Sequence, residues 1–90
     1  CLIANTVMEL APHEQDIAGK VCQAMKTVED AFFKILSRAK EQGELAKDKD
    51  PRGLARFLTT MMQGTIVMIK SGASADTVKQ TAETAFSILD

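Results

Sequence analysis

The sequence predicts an all-α fold of four helices. Apolar residues recur at three- and four-residue steps, and Pro12, Gly43, Pro51 and Gly72 separate the periodic stretches. No stretch alternates apolar and polar residues with the two-residue period of a half-buried strand. Since the chain has 90 residues, we expect a single domain with a small core.

The first predicted helix, residues 1–11, is apolar on nearly all sides, because only Asn5, Thr6 and Glu9 are polar. A helix of this kind has to be covered by neighbours all round. We therefore expect further helices upstream of Cys1, which makes the chain the C-terminal part of a longer protein.

The second predicted helix, residues 14–43, is amphipathic. Glu14 and Asp16 lie in its first turn, where the helix dipole favours negative charge. Gly43 suits the left-handed position that follows a helix. The apolar face consists of Ile17, Val21, Ala24, Met25, Val28, Phe32, Ile35, Leu36 and Ala39.

The third predicted helix, residues 51–71, follows a charged connector. Asp50 is a suitable N-cap, and Pro51 suits the first helical position. Residues 57–69, FLTTMMQGTIVMI, contain no charge and place apolar side chains on two sides of the helix. Both sides are therefore expected to be covered.

The fourth predicted helix begins after Ser74, its expected N-cap, and carries Asp76 in its first turn. Its apolar stripe consists mostly of small residues. Four helices in one bundle offer each member one inward face, so apolar surface is left over on the last two helices. We expect these two helices to pack against a second copy about a two-fold axis, as an intermolecular four-helix bundle. The predicted dimer contacts are Leu54, Phe57, Leu58, Met61, Met62, Thr65, Met68, Val78, Ala82, Ala85, Phe86 and Leu89.

Composition and motifs argue against several functions. The formal net charge of −1, with interspersed signs, does not favour binding of DNA or of a membrane surface by this chain itself. His13 is the single histidine, so neither a metal site nor a catalytic triad is predicted. We expect no enzyme activity and no cofactor. Two cysteines and no signal peptide favour a reducing cytoplasm.

Several short motifs follow one another in a specific order. They are Cys1–Leu2–Ile3 with Asn5–Thr6, Glu9–Leu10–Ala11, Gly43–Glu44–Leu45, Asp50–Pro51 before Leu54–Ala55–Arg56–Phe57, Gln63–Gly64, and Gly72–Ala73–Ser74. In this order and spacing, over essentially all ninety residues, they resemble the C-terminal domain of TetR/AcrR-type transcriptional regulators.

The resemblance implies that residues 1–90 are the dimerisation and effector-binding domain of such a regulator, expected to be a repressor. DNA would be bound only by an N-terminal helix-turn-helix domain, which is absent from this chain. The effector, an unidentified small molecule, would favour a dimer geometry that no longer fits the DNA.

Candidate lining residues of the effector pocket are Cys1, Asn5, Met8, Glu9, Met25, Phe32 and Phe33. Asn5 and Glu9 follow Cys1 at four-residue steps, as expected of a pocket wall; alternatively, they pair with upstream helices or reach solvent. The resemblance also makes Cys1 a candidate redox or electrophile sensor, with Lys70 lowering the pKa of its thiol. The alternative is that Cys1 is a small buried apolar residue.

Two other functions remain open from the sequence. The chain could be a stand-alone helical module that binds another protein, in which case it would be a monomer without ligand. It could also be a carrier of a hydrophobic ligand, in which case a monomer would co-purify with lipid.

Overall fold

The computed structural model describes residues 15–90, with side chains from Gly19 onward. This part contains three helices, α1 (Gln15–Glu41), α2 (Pro51–Lys70) and α3 (Ala75–Ser87), and no strand. The all-α class is thus confirmed, and the three bounds lie close to those predicted. The predicted helix over residues 1–11 lies outside the described residues.

Side-chain caps set the beginnings of α2 and α3. Oδ1 of Asp50 accepts a hydrogen bond of 3.1 Å from the backbone N–H of Arg52, and Pro51 occupies the first turn of α2. Oγ of Ser74 accepts a hydrogen bond of 3.1 Å from the backbone N–H of Thr77. Each cap satisfies a donor that has no partner within its helix, so both predicted helix starts are confirmed.

A Schellman motif ends α1. Gly43 has a φ of +78°, and its N–H donates to the carbonyl of Lys40 at 3.2 Å. The N–H of Glu44 donates to the carbonyl of Ala39 at 2.9 Å. These two bonds turn the chain sharply, as expected for glycine at this position. The turn brings Leu45, which is 4% exposed, into the core.

The hydrophobic core lies where the end of α1, the connector and the first half of α2 meet. It consists of Leu36, Leu45, Leu54, Ala55 and Leu58, with Phe32, Phe33, Ala39, Phe57 and Leu89 packed against it. Leu45 belongs to a segment that the sequence indicates only as a charged connector. Its burial ties this polar connector to the core.

The described helices form a thin layer with α2 in the middle. In this part of the chain, α1 and α3 each pack against α2 and make no comparable contact with each other. The Cα atoms extend over 44 × 33 × 14 Å, so the layer is little more than one helix thick. The helices within residues 15–90 therefore cover both broad faces of α2 incompletely.

Burial decreases along α2. Its buried residues, Leu54, Ala55, Leu58 and Thr59, all lie in the first half. In the second half, Met68 is 53% and Ile69 is 51% exposed. No helix within residues 15–90 is long and apolar enough to span a membrane.

Candidate functional site

An arginine cluster holds α1 against the beginning of α2. Nη1 of Arg52 lies 2.8 Å from Oε2 of Glu29 and 2.8 Å from Oδ1 of Asp30. The guanidinium also lies 3.9 Å from the centroid of the Phe33 ring. The hydrogen bond from Arg52 lowers the pKa of Asp30, and the same contacts raise the pKa of Arg52. This cluster fixes the spacing of α1 and α2 at one end.

Beyond the cluster, α1 and α2 enclose an open groove of about 650 Å³, here called the α1–α2 groove. Val21 and Met25 supply apolar surface on the α1 side, whereas Lys26 and Glu29 on the same side and the residues on the α2 side are charged or polar. The lining residues are Val21, Cys22, Met25, Lys26 and Glu29 of α1, and Arg56, Thr59, Thr60 and Gln63 of α2.

The α2 side of the α1–α2 groove carries two threonines and a glutamine beside Arg56. The hydroxyls of Thr59 and Thr60 donate to the carbonyls of Ala55 and Arg56 at 2.8 and 2.9 Å, respectively. Oε1 of Gln63 is buried and has no hydrogen-bond partner among the described residues. A buried acceptor without a partner costs about 1–3 kcal/mol.

Two further grooves flank the second half of α2. The hairpin groove, between α2 and α3, has a volume of about 430 Å³, and the three-helix groove has a volume of about 330 Å³. Met61, Gly64, Thr65, Val67, Met68, Ala73, Thr77, Val78 and Thr81 line the hairpin groove. Phe32, Leu58, Met61, Met62, Thr65, Ile66, Ala82, Ala85 and Phe86 line the three-helix groove.

The predicted dimer contacts fall into two groups. Leu54, Leu58 and Ala85 are buried inside the chain, and Phe57 and Leu89 pack against the core. The others lie around the two grooves beside α2, with Phe86 58% exposed. These are Met61, Met62, Thr65, Met68, Val78, Ala82 and Phe86.

The described members of the predicted effector pocket do not surround one cavity. Met25 lines the α1–α2 groove, Phe32 lines the three-helix groove, and Phe33 lies under Arg52. Cys1, Asn5, Met8 and Glu9 lie outside the described residues. The suggested pairing of Cys1 with Lys70 therefore stays a prediction; Lys70 itself is exposed at the end of α2.

Of the residues that line the α1–α2 groove, the sequence prediction of the effector pocket named only Met25. Thr59, Thr60 and Gln63 are the polar positions of the uncharged stretch 57–69 that face α1. Thr60 and Gln63 follow Thr59 by one and four residues, which places all three on one side of a helix. This spacing was the signal in the sequence that could have identified them. Cys22 lines the same groove as a free, exposed thiol. No cluster within the described residues has the side chains to hold a metal ion.

Comparison with known families identifies the class of protein. Residues 1–85 match the family model described as the tetracyclin repressor-like, C-terminal domain. The chain therefore belongs to this family, the C-terminal domains of TetR-type transcriptional regulators.

Two relatives illustrate the family. The chain is 35% identical over its whole length to an uncharacterized HTH-type transcriptional regulator, YezE, of Bacillus subtilis, of which it covers 47%. It is 29% identical, over 93% of its length, to the HTH-type transcriptional repressor ComR of Escherichia coli, of which it covers 40%. The chain thus spans less than half the length of either relative. No solved structure is significantly similar to it.

Proposed function

We propose that this domain forms a homodimer and binds a small-molecule effector that controls DNA binding by an N-terminal helix-turn-helix domain. The name of the Escherichia coli relative describes a repressor, and repression is the role we infer here. Such a protein works on DNA and carries out no catalysis of its own. We accordingly infer a cytoplasmic location.

The observation that carries the dimer is the open surface around the second half of α2. Met68 and Phe86 are more than half exposed, and apolar grooves lie on two sides of Thr65. An apolar surface of this kind on a thin layer of helices is typical of an interface. In a dimer with two-fold symmetry, this surface of each copy packs against the other copy, so both surfaces are buried together.

The effector would act through α2, which takes part in both sites. Thr59 and Gln63 face the α1–α2 groove, whereas Met61 and Thr65 line the grooves on the dimer side. A ligand that prefers one spacing of α1 and α2 therefore also favours one position of α2 relative to the partner subunit. The DNA-binding domains would then follow the geometry of the dimer.

The substitution Thr65→Glu tests the dimer surface. It places a carboxylate between the two apolar grooves, where burial without a partner costs several kcal/mol. We expect the dimer dissociation constant to rise by roughly 100-fold or more, measured by analytical ultracentrifugation.

Thr27→Glu is the matched control, since Thr27 is exposed on α1, away from the grooves beside α2. This variant is expected to dimerise as the unchanged chain does. If Thr65→Glu dimerises equally well, the partner subunit does not cover this surface.

A further inference from the structure

Two lysines connect the ends of α1 and α3, although these helices do not pack against each other within residues 15–90. Nζ of Lys40, on α1, donates a hydrogen bond of 2.8 Å to the backbone carbonyl of Lys49 in the connector. Nζ of Lys49 in turn donates a hydrogen bond of 3.1 Å to the backbone carbonyl of Ile88, which follows α3 directly. The connector therefore links the end of α1 to the end of α3.

The end of a helix is a favourable place for the ammonium group of Lys49. The last carbonyls of a helix have no partner within the helix and carry a partial negative charge. A lysine that donates to one of them satisfies the acceptor and balances this charge. Lys49 is half-buried, whereas Lys47, the other lysine of the connector, is exposed. Of these two lysines, Lys49 is the one that reaches the end of α3.

An apolar contact holds the same end of α3. Leu89 follows the residue whose carbonyl Lys49 binds, and its side chain packs against the core. Leu45 of the connector is a member of that core. The connector thus contributes Leu45 to the core against which Leu89 packs, and Lys49 to the hydrogen bond beside it.

Between its two ends, α3 is less closely packed against α2. A tight turn joins the two helices at the start of α3, where Gly72 has a φ of +98° and the N–H of Ala73 donates to the carbonyl of Met68 at 3.0 Å. The hairpin groove of about 430 Å³ opens between the helices beyond this turn. A helix held at both ends beside an open groove takes its tilt from the two attachments. The attachment at Lys49 and Leu89 therefore helps to set how α3 lies against α2.

We propose, resting on the dimer inferred above, that Lys49 and Leu89 position α3 for dimerisation and transmit a displacement of the end of α1 to the partner subunit. Lys49 acts from within the chain and does not need to touch the partner. The connector begins where α1 ends, so a movement of α1 displaces Lys49, and the end of α3 follows. This route from α1 to the dimer surface is separate from the route through α2.

The distance between α1 and α3 tests the positioning role directly. Spin labels on Arg38→Cys of α1 and Glu83→Cys of α3, both exposed positions, report this distance by double electron–electron resonance. Cys1→Ser and Cys22→Ser remove the native thiols from the labelled ninety-residue chain. Dilution with unlabelled chain restricts the measurement to pairs of labels within one chain.

Lys49→Met removes the donor and keeps an unbranched side chain, so we expect it to broaden the distribution of α1–α3 distances. Lys49→Arg keeps a charged donor and is expected to restore the narrow distribution. Lys47→Met, the same change at an exposed position of the connector, should leave the distribution unchanged.

The dimer dissociation constant of the same variants, without labels, tests the link to the partner subunit. By analytical ultracentrifugation we expect Lys49→Met to raise this constant by about three- to tenfold, the equivalent of one hydrogen bond. Lys49→Arg is expected to restore it, and Lys47→Met to leave it unchanged.

An unchanged distance distribution for Lys49→Met would overturn the proposal, and so would a broadened distribution with an unchanged dissociation constant. Equal effects of Lys49→Met and Lys47→Met would also overturn it, since the loss of one positive charge would then be the cause. A chain without substitutions that is a monomer at every concentration would refute the proposed dimer instead. The distances within one chain would still test whether Lys49 positions α3.

Discussion

Arg52 is the residue with the most connections between helices in the described part of the chain. Its guanidinium contacts two carboxylates of α1 and the face of Phe33. Arginine suits this position, because its planar group binds carboxylates and stacks on an aromatic ring at the same time. The contacts set the distance between the helices that form the α1–α2 groove.

The pKa shift of Asp30 predicts how the Arg52 contact responds to acid. Its pKa lies below the ordinary value of 3.8, mainly because Arg52 donates a hydrogen bond to it and secondarily because Lys26, Arg52 and Lys34 are positively charged. A carboxylate with a lowered pKa in the folded state contributes stability above the pKa of the unfolded state. That contribution is lost as the pH falls through the lowered pKa.

We therefore expect Asp30→Asn to lower the melting temperature at about pH 6, and the deficit to shrink as the pH falls towards about pH 2.5. Thermal unfolding followed by circular dichroism measures this difference. Asp48→Asn, at an exposed position of the connector, should show little deficit at either pH. A deficit for Asp30→Asn that stays constant down to the lowest pH would contradict the assignment.

Two glycines, one within α1 and one just after it, differ in what their backbone requires. Gly43 has a φ of +78° in the turn that ends the helix, whereas Gly19 lies within the helix, where an added Cβ would meet nothing within 4 Å. Alanine is disfavoured in the left-handed region and favoured within a helix.

We expect Gly43→Ala to lower the free energy of unfolding by about 1 kcal/mol, and Gly19→Ala to raise it by about 0.5–1 kcal/mol. Urea unfolding at one fixed protein concentration measures both, because dimerisation makes stability depend on concentration. A Gly43→Ala variant as stable as the unchanged chain would show that the end of α1 does not depend on the turn at Gly43.

The elements could be predicted from the sequence because their ends carry local chemistry. Asp50, Pro51 and Ser74 mark helix starts, and Gly43 marks a helix end, without reference to distant residues. The burial of Leu45 could not be predicted in this way, because it depends on where the Schellman turn directs the chain. A leucine two residues after the glycine of such a turn was the only local signal.

The candidate site was less predictable than the helices. Periodicity showed that α2 is apolar on two sides, but it could not assign each residue to a neighbour within the chain or in another subunit. Leu54 and Leu58 were predicted as dimer contacts together with Met68, yet they are buried inside the chain whereas Met68 is exposed. That division arises from how far α1 and the connector extend along α2, which is a property of the packed structure.

The described part of the chain, residues 15–90, is too extended to bury its own apolar residues. The radius of gyration is 14.9 Å, whereas a compact chain of this length would have roughly 12 Å. Ile35, 65% exposed on α1, is a further apolar residue left open. A second copy against α2 and α3 would thicken the layer and cover part of this surface.

The substitution Gly64→Ala tests whether a helix of a second copy approaches α2 closely. It lies in the helix, lines the hairpin groove and has nothing within 4 Å of an added Cβ. In an isolated chain, Gly64→Ala would be stabilising, as Gly19→Ala is expected to be. In the proposed dimer the added methyl group meets the partner helix, and overpacking costs about 1–3 kcal/mol.

We therefore expect Gly64→Ala to raise the dimer dissociation constant by roughly 10- to 100-fold, measured by analytical ultracentrifugation. Gly19→Ala, on α1, is the matched control and should leave the constant unchanged. An unchanged constant for Gly64→Ala would place the partner helix away from the hairpin groove.

The most direct test of the dimer is the solution mass of the unmodified ninety-residue chain. Multi-angle light scattering over a dilution series measures it without any assumption about shape. The proposed interface lies within α2 and α3, so we expect twice the mass of the 9.8 kDa chain down to low micromolar concentration. A mass of one chain at every concentration would contradict the proposal that a second copy covers the open surface of these helices.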